Sequence, residues 1–502
     1  MPAIVNDCWN TARRLRVLST VVLLCALGLL SSPVGAADLR QVVVQTSEQY
    51  TAELEALAAW CDAQGLSDEA AETRHRAKPV DPSVIRVLAL PQRVGQAFEA
   101  SKNASEKIEN AEKTAEWRRR YAELRRAQGQ RWFQLARKAI NAGHASLAFD
   151  LVHAAVAEDP DHETARRLLG YQEYHGEWHT PYEVRKLRSG YVRDDRFGWI
   201  RRVDLPRYEK GDRPYGGRWI PAAEDAQLRR DIHDGWDIET EHYLIRTNHS
   251  IEAGVQLGRR LEELYAVWKQ LFVCYYATPA QVEAMFGRRP GRITLPRHKI
   301  VYFRDRREYN EGMRGMKGRI ESSEGMYIGL MQRAYFFGGD DADQETQLHE
   351  ATHQLFYESR PVAQNVGATA NCWVVEGIAM YMESLRREGD YFVVGGFDTQ
   401  RMRAARYRLL KDKFYVPFNV LTRYGLPQLQ SDPRMATLYS QMAGWTQFLI
   451  YYDQGRYRDA LVKYLTAVFN GSQDPALLSR LTGASYDDLD RQYREFMERG
   501  KP

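Results

Sequence analysis

His349 and His353 stand four residues apart in the run Gln347-Leu348-His349-Glu350-Ala351-Thr352-His353-Gln354-Leu355-Phe356, which contains neither proline nor glycine. On an α-helix that separation returns to nearly the same azimuth, so the two imidazoles project side by side. Such a pair can grip one Zn²⁺ at roughly 2.0–2.1 Å from each nitrogen. Glu350 lies one step round the same face, where its carboxylate can take a proton from water at the metal. A catalytic zinc wants three protein ligands and an open position. A second helix-compatible run, from Asn371 to Glu383, can supply the missing carboxylate.

Taken together, His349-Glu350-x-x-His353-Gln354 and Trp373-x-x-Glu376-Gly377-x-Ala379-x-Tyr381-x-Glu383 resemble the core of the gluzincin metallopeptidases. Both the aminopeptidase-type and the thermolysin-like enzymes belong there, and the likeness is closer to the secreted bacterial domains grouped beside them. The resemblance implies an α+β fold in which a small mixed sheet carries the zinc-binding helices. It also implies Zn²⁺ on His349, His353 and Glu376, Glu350 as general base, and hydrolysis of a peptide or protein substrate. By the same likeness Tyr439 is the tyrosine whose hydroxyl donates to the oxyanion, with Tyr381 and Tyr335 as alternatives. Thermolysin-like enzymes often place a carboxylate four residues after the third ligand to orient a histidine. That position is Met380 here, and Glu383 is the substitute on roughly the same face. No exopeptidase motif for anchoring a substrate amino terminus is recognisable, so aminopeptidase activity is not expected.

Residues 1–36 read as an export signal. Arg13, Arg14 and Arg16 form a basic start, Val17 to Leu30 an apolar run, and Val34-Gly35-Ala36 a small-residue cleavage site. A periplasmic or secreted location follows, and no later stretch is apolar enough to span a bilayer. Roughly 465 residues then remain, enough for two or three domains. With 70 Lys and Arg against 66 Asp and Glu, the balance argues against a nucleic-acid partner. Once the signal is gone, Cys61, Cys274 and Cys372 are left. Three cysteines do not make a disulfide framework, and small buried hydrophobes are expected, with a single bridge among them left open.

Elements that must position the site can be sketched from patterning. Residues 37–174 read as helices throughout. Within them Trp132, Leu135, Ala136, Ala148, Val152, Ala155 and Pro160 fall where a tetratricopeptide-like repeat puts its large, small and terminating residues, and Gly143 marks the turn. A looser partner spans Leu54 to Ala71. Such helical pairs serve as a packing platform or a docking surface for a protein partner. Residues 175–235 carry Trp178, Trp199, Trp219 and Trp236 after glycines, each unit a turn leading into a short extended segment. This stretch reads as a linker or small sheet. His175 and His179 are also four apart, but Gly176 and Thr180-Pro181 make a helix there unfavourable, so packing roles are expected. Residues 236–502 hold the metallopeptidase-like domain. Strands are expected at His242–Thr247, Lys299–Phe303, Gly325–Ile328 and Arg333–Phe337. Ser250 is expected to cap a helix to Phe272, and beyond Glu383 helices are expected to the C-terminus. Two other readings fit the same letters: a non-catalytic zinc-containing scaffold with helical repeats, and a zinc hydrolase of non-peptide cell-envelope material.

Overall fold

The computed structural model describes residues 36–78, 81, 83–89, 111–287, 293–314, 324–340 and 342–500. Apart from its last residue, the expected export signal lies outside them, as do residues 101–110 of the charged stretch. The described chain is α+β, as the resemblance implied. No helix among the described residues is long and apolar enough to cross a membrane.

A five-stranded sheet supports the site. Its order runs from Met326–Ile328 at one edge through Arg333–Phe337, His298–Phe303 and Tyr243–Thr247 to Trp236–Glu239 at the other. The three inner strands are parallel, and both edge strands pair antiparallel to their neighbours. Alternation decides which side chains go where. Tyr243, Ile245, Ile300, Tyr302, Ala334 and Phe336 join the main core on one face. Val301, Phe303, Tyr335 and Phe337 pack with Tyr309 and Met313 on the other. The first face is covered by helix Ile251–Leu271 and by helix Gln344–Glu358, which bears both histidines. Each begins on a side-chain cap that satisfies otherwise unpaired amides. Ser250 accepts from the Ala253 N–H, and Asp343 accepts from the N–H groups of Glu345 and Thr346.

The second motif forms helix Cys372–Met382, packed between the histidine helix and a long helix that starts at Met435. At the crossing, Gly377 leaves no room for a side chain. A Cβ there would lie 2.7 Å from Thr446 Oγ1 and 2.9 Å from the Met442 carbonyl. Trp373, fully buried, donates its indole N–H to the Tyr464 hydroxyl, which donates in turn to Asn371 Oδ1. The motif tryptophan therefore fixes the start of the helix.

Two expectations fail here. The chain beyond Glu383 is not all helix: Arg386–Glu388 and Tyr391–Gly395 form a hairpin. The N-terminal region is not all helix either, because Val84–Leu88 pairs antiparallel with Tyr391–Gly395 to complete a three-stranded sheet. Both segments are short, and their β-branched residues (Val84, Ile85, Val87, Val393, Val394) fit a pleated ladder better than a helix. Gln172–Tyr174 is likewise a strand, and most of the remaining described N-terminal residues form helical hairpins. Ala36–Ala63 pairs with Ser67–Ala77, and Ala111–Asn141 pairs with Ala145–Glu158 across Gly143, whose φ of +80° needs glycine. Tyr50, Arg76 and Arg125 all converge on the Glu158 carboxylate and tie the two hairpins together.

The tryptophan-rich stretch folds as three two-stranded hairpins, Gln172–Tyr174 with Glu177–His179, Tyr191–Asp194 with Gly198–Arg201, and Asp212–Tyr215 with Arg218–Pro221. A short helix follows each. Trp178 donates to Asp161 and Trp236 to Asp225, which places both indoles in packing roles. His179 sits on a strand against Glu177 and Glu183, and His175 lies in a left-handed turn. They are not a helical pair.

The main apolar core does not stop at residues 174 or 235. One contiguous cluster takes in Leu39, Val87, Trp132, Val152, Leu264, Trp373, Trp445 and Met497. Polar links cross the same boundary: the Arg458 guanidinium meets Asp150, Asp459 accepts from the Ser146 N–H, and Gln447 donates to the Ser83 carbonyl. The helical hairpin Ala111–Glu158 is thus built into the structure as a platform.

Candidate metal centre

The histidine helix and the glutamate helix bring three donors together. His349 Nε2 and His353 Nε2 are 3.0 Å apart. Glu376 reaches both, with Oε2 3.5 Å from His349 Nε2 and Oε1 3.8 Å from His353 Nε2. Tetrahedral ligands at 2.0–2.1 Å from zinc stand roughly 3.3 Å from one another. Glu376 offers a different oxygen to each histidine at those distances; taking one donor atom from each residue, all three lie within 4.8 Å of one another, close enough to close on one ion. Among the described residues, these three form the one group of His, Cys, Asp and Glu side chains arranged to hold a metal.

His349 is also held from behind. Its Nδ1–H donates to Glu383 Oε1 at 2.8 Å, which fixes the tautomer and leaves Nε2 free to coordinate. Met380, at the position thermolysin-like enzymes use, is buried in apolar core. Glu383 caps the end of the glutamate helix and is itself gripped by Arg401, whose Nε donates to Oε2 at 2.8 Å. Arg401 comes from the next helix, Gln400–Leu410, and nothing in the sequence marks it.

Glu350 reaches the sheet edge while staying within electrostatic range of His349 and Glu376. The Tyr327 N–H of strand Met326–Ile328 donates to its Oε2 at 2.8 Å. Burial pushes this carboxyl up to about 7, against the opposing pull of His349 and the Tyr327 amide. Burial also holds His353 well below the ordinary histidine value, since a charged ring there would be poorly solvated. His349 goes the other way: burial opposes its charge, but hydrogen bonds to Glu376 and Glu383 outweigh it and raise its pKa. Glu376 is lowered by the same two histidines, again against burial. Without metal, the carboxylates of Glu376 and Glu383 favour the charged form of His349.

Tyr439, half-buried on the long helix, lies within electrostatic reach of Glu376, Glu350 and Arg401; burial first, then Glu376, keeps its hydroxyl protonated far above neutrality. Tyr381 instead hydrogen-bonds the Tyr451 hydroxyl at 2.6 Å, facing the platform side. Tyr335 projects into the opposite face of the sheet, with its hydroxyl on Met331 Sδ. A tyrosine missed in the sequence, Tyr357, also feels Glu376. It stands four residues after His353, and that helical spacing could have found it. Cys372 is buried and its thiol pushed up by burial and by Glu376, so it stays protonated. All three cysteines are free.

A family model described as "Protein of unknown function (DUF1570)" matches residues 343–472. That stretch carries the three donors together with Glu350, Glu383, Arg401 and Tyr439. No curated protein matches the chain.

Proposed function

We propose that this chain is an exported zinc-dependent metallopeptidase of the gluzincin kind, which hydrolyses peptide bonds in a peptide or protein substrate. The observation that carries the reading is the donor triangle of His349, His353 and Glu376, all within 4.8 Å of one another, with Glu350 on the same helix. When bound, zinc supplies the Lewis acidity that polarises a scissile carbonyl and makes water more acidic. His349, His353 and Glu376 hold the ion. Glu350 accepts the proton released as water adds to the carbonyl carbon, then returns it to the departing amine nitrogen. A carboxyl near pH 7 can serve in both directions. The Tyr327 amide aims that carboxylate along the sheet edge, where an extended substrate backbone can lie. Tyr439, kept protonated, offers its O–H to the charge that develops on the carbonyl oxygen.

The test is metal analysis of the purified mature chain together with a peptide-library digest, comparing the natural sequence with Glu350→Gln. The expected result is one zinc per chain in both and cleavage by the natural sequence alone. Absence of zinc, or equal cleavage by the variant, overturns the proposal. Zinc without any peptide cleavage turns the reading to a scaffold or to non-peptide chemistry.

A further inference from the structure

Glu383 is an unfavourable place for an unsupported carboxylate. It caps the C-terminal end of the glutamate helix, where backbone carbonyls already concentrate negative charge. Its side chain is only 6% exposed, so water does little to stabilise it. What offsets this is Arg401, which donates from Nε to Oε2 at 2.8 Å and from a terminal nitrogen to Oε1 at 3.3 Å. Both oxygens are thereby pinned, and Oε1 is presented to His349 Nδ1. Arg401 itself is 37% exposed, and its hydrogen bonds go to Glu383 rather than to the three donors.

We infer that Arg401 is a positioning residue for the metal centre: by clamping Glu383 it fixes the His349 ring so that Nε2 faces His353 and Glu376. A flexible glutamate three residues beyond the usual place has to reach back, and a planar fork holds it in one rotamer. This inference rests on the zinc reading above. Because Arg401 acts through Glu383, its effect must vanish once Glu383 can no longer respond.

The experiment measures the zinc Kd of the full mature chain by competition with a chromophoric chelator. It compares the natural sequence with Arg401→Met, Arg401→Lys, Glu383→Gln, the Arg401→Met/Glu383→Gln double variant, and Arg408→Met as a control on the same helix. Glu383→Gln is expected to weaken zinc roughly 10- to 100-fold, within the range known for groups that orient a ligand histidine. Arg401→Met is expected to weaken it roughly 10-fold and Arg401→Lys by less, with Arg408→Met unchanged. The double variant is expected to match Glu383→Gln alone, the signature of two residues acting as one unit. An unchanged Kd in Arg401→Met, or effects that add in the double variant, overturns the inference while leaving the metallopeptidase reading in place. No zinc binding by the natural sequence overturns both. Arg401→Lys keeps the charge and the fold, so a comparison survives if the methionine variant does not accumulate.

Discussion

At the residue scale, each side chain of the centre has a distinct expected signature. Glu376→Ala removes one corner of the donor triangle, and metal analysis is expected to find the variant well below one zinc per chain. Tyr439→Phe keeps the ring and loses only the hydroxyl; kcat on a cleaved peptide is expected to fall roughly 100-fold with KM little changed, as for other oxyanion donors. The raised His349 pKa gives a third expectation. At pH 7 the metal-free ring is protonated, so zinc must displace that proton, and affinity must weaken as pH falls. Calorimetric titrations in buffers of different ionisation enthalpy check this; an unchanged heat across buffers would count against it. The paired histidines were legible in the sequence because a four-residue separation is itself helix geometry, whereas Glu376 was singled out by the family resemblance. Arg401 was not, because its partner lies on another helix and no local spacing encodes that meeting.

Among the elements, the crossing at Gly377 is the most sensitive point. With Thr446 Oγ1 and the Met442 carbonyl already within 2.9 Å of where a Cβ would sit, Gly377→Ala forces the two helices apart. Overpacking of this sort costs about 1–3 kcal/mol. A lower midpoint in urea, together with weakened zinc retention, is expected, because Glu376 moves with that helix. Four strands of the five-stranded sheet were readable from patterning, and so was the side-chain cap at Ser250; the edge strand Trp236–Glu239 and the cap at Asp343 were not singled out. Also missed were the strand Val84–Leu88 and the hairpin after Glu383. Five-residue apolar segments carry no period long enough to separate strand from helix, and the decisive fact was a partner far away in the chain. The three hairpin-and-helix units were visible only as recurring tryptophans and turns.

For the whole molecule, the continuity of the core sets the expectation for truncation. Residues 236–502 alone would expose Phe286, Gln270 and Arg458, which normally meet Phe149 and Asp150 of the helix Ala145–Glu158. Such a fragment is expected to be insoluble or to bind a hydrophobic dye, whereas a soluble, cooperatively melting fragment would contradict the platform role. The platform also gives a pH handle. His153 has its Nδ1 shielded without a partner, and burial, then Lys269, pushes its pKa down to about 3. A base depressed in the folded state contributes stability above its unfolded value of about 6.5 and loses it as pH falls toward the folded value. His153→Leu is therefore expected to flatten the acid limb of a melting-temperature profile between those values.

The bond from Gln447 to the Ser83 carbonyl joins residues 364 positions apart. A chain emerging from the ribosome displays the Val84–Leu88 ribbon long before Tyr391–Gly395 exists to zip against it. During that interval its bare edge is a template for a neighbour's backbone. Renaturation is thus expected to be slow and to lose yield steeply as protein concentration rises, with recovery when the chain is diluted or immobilised.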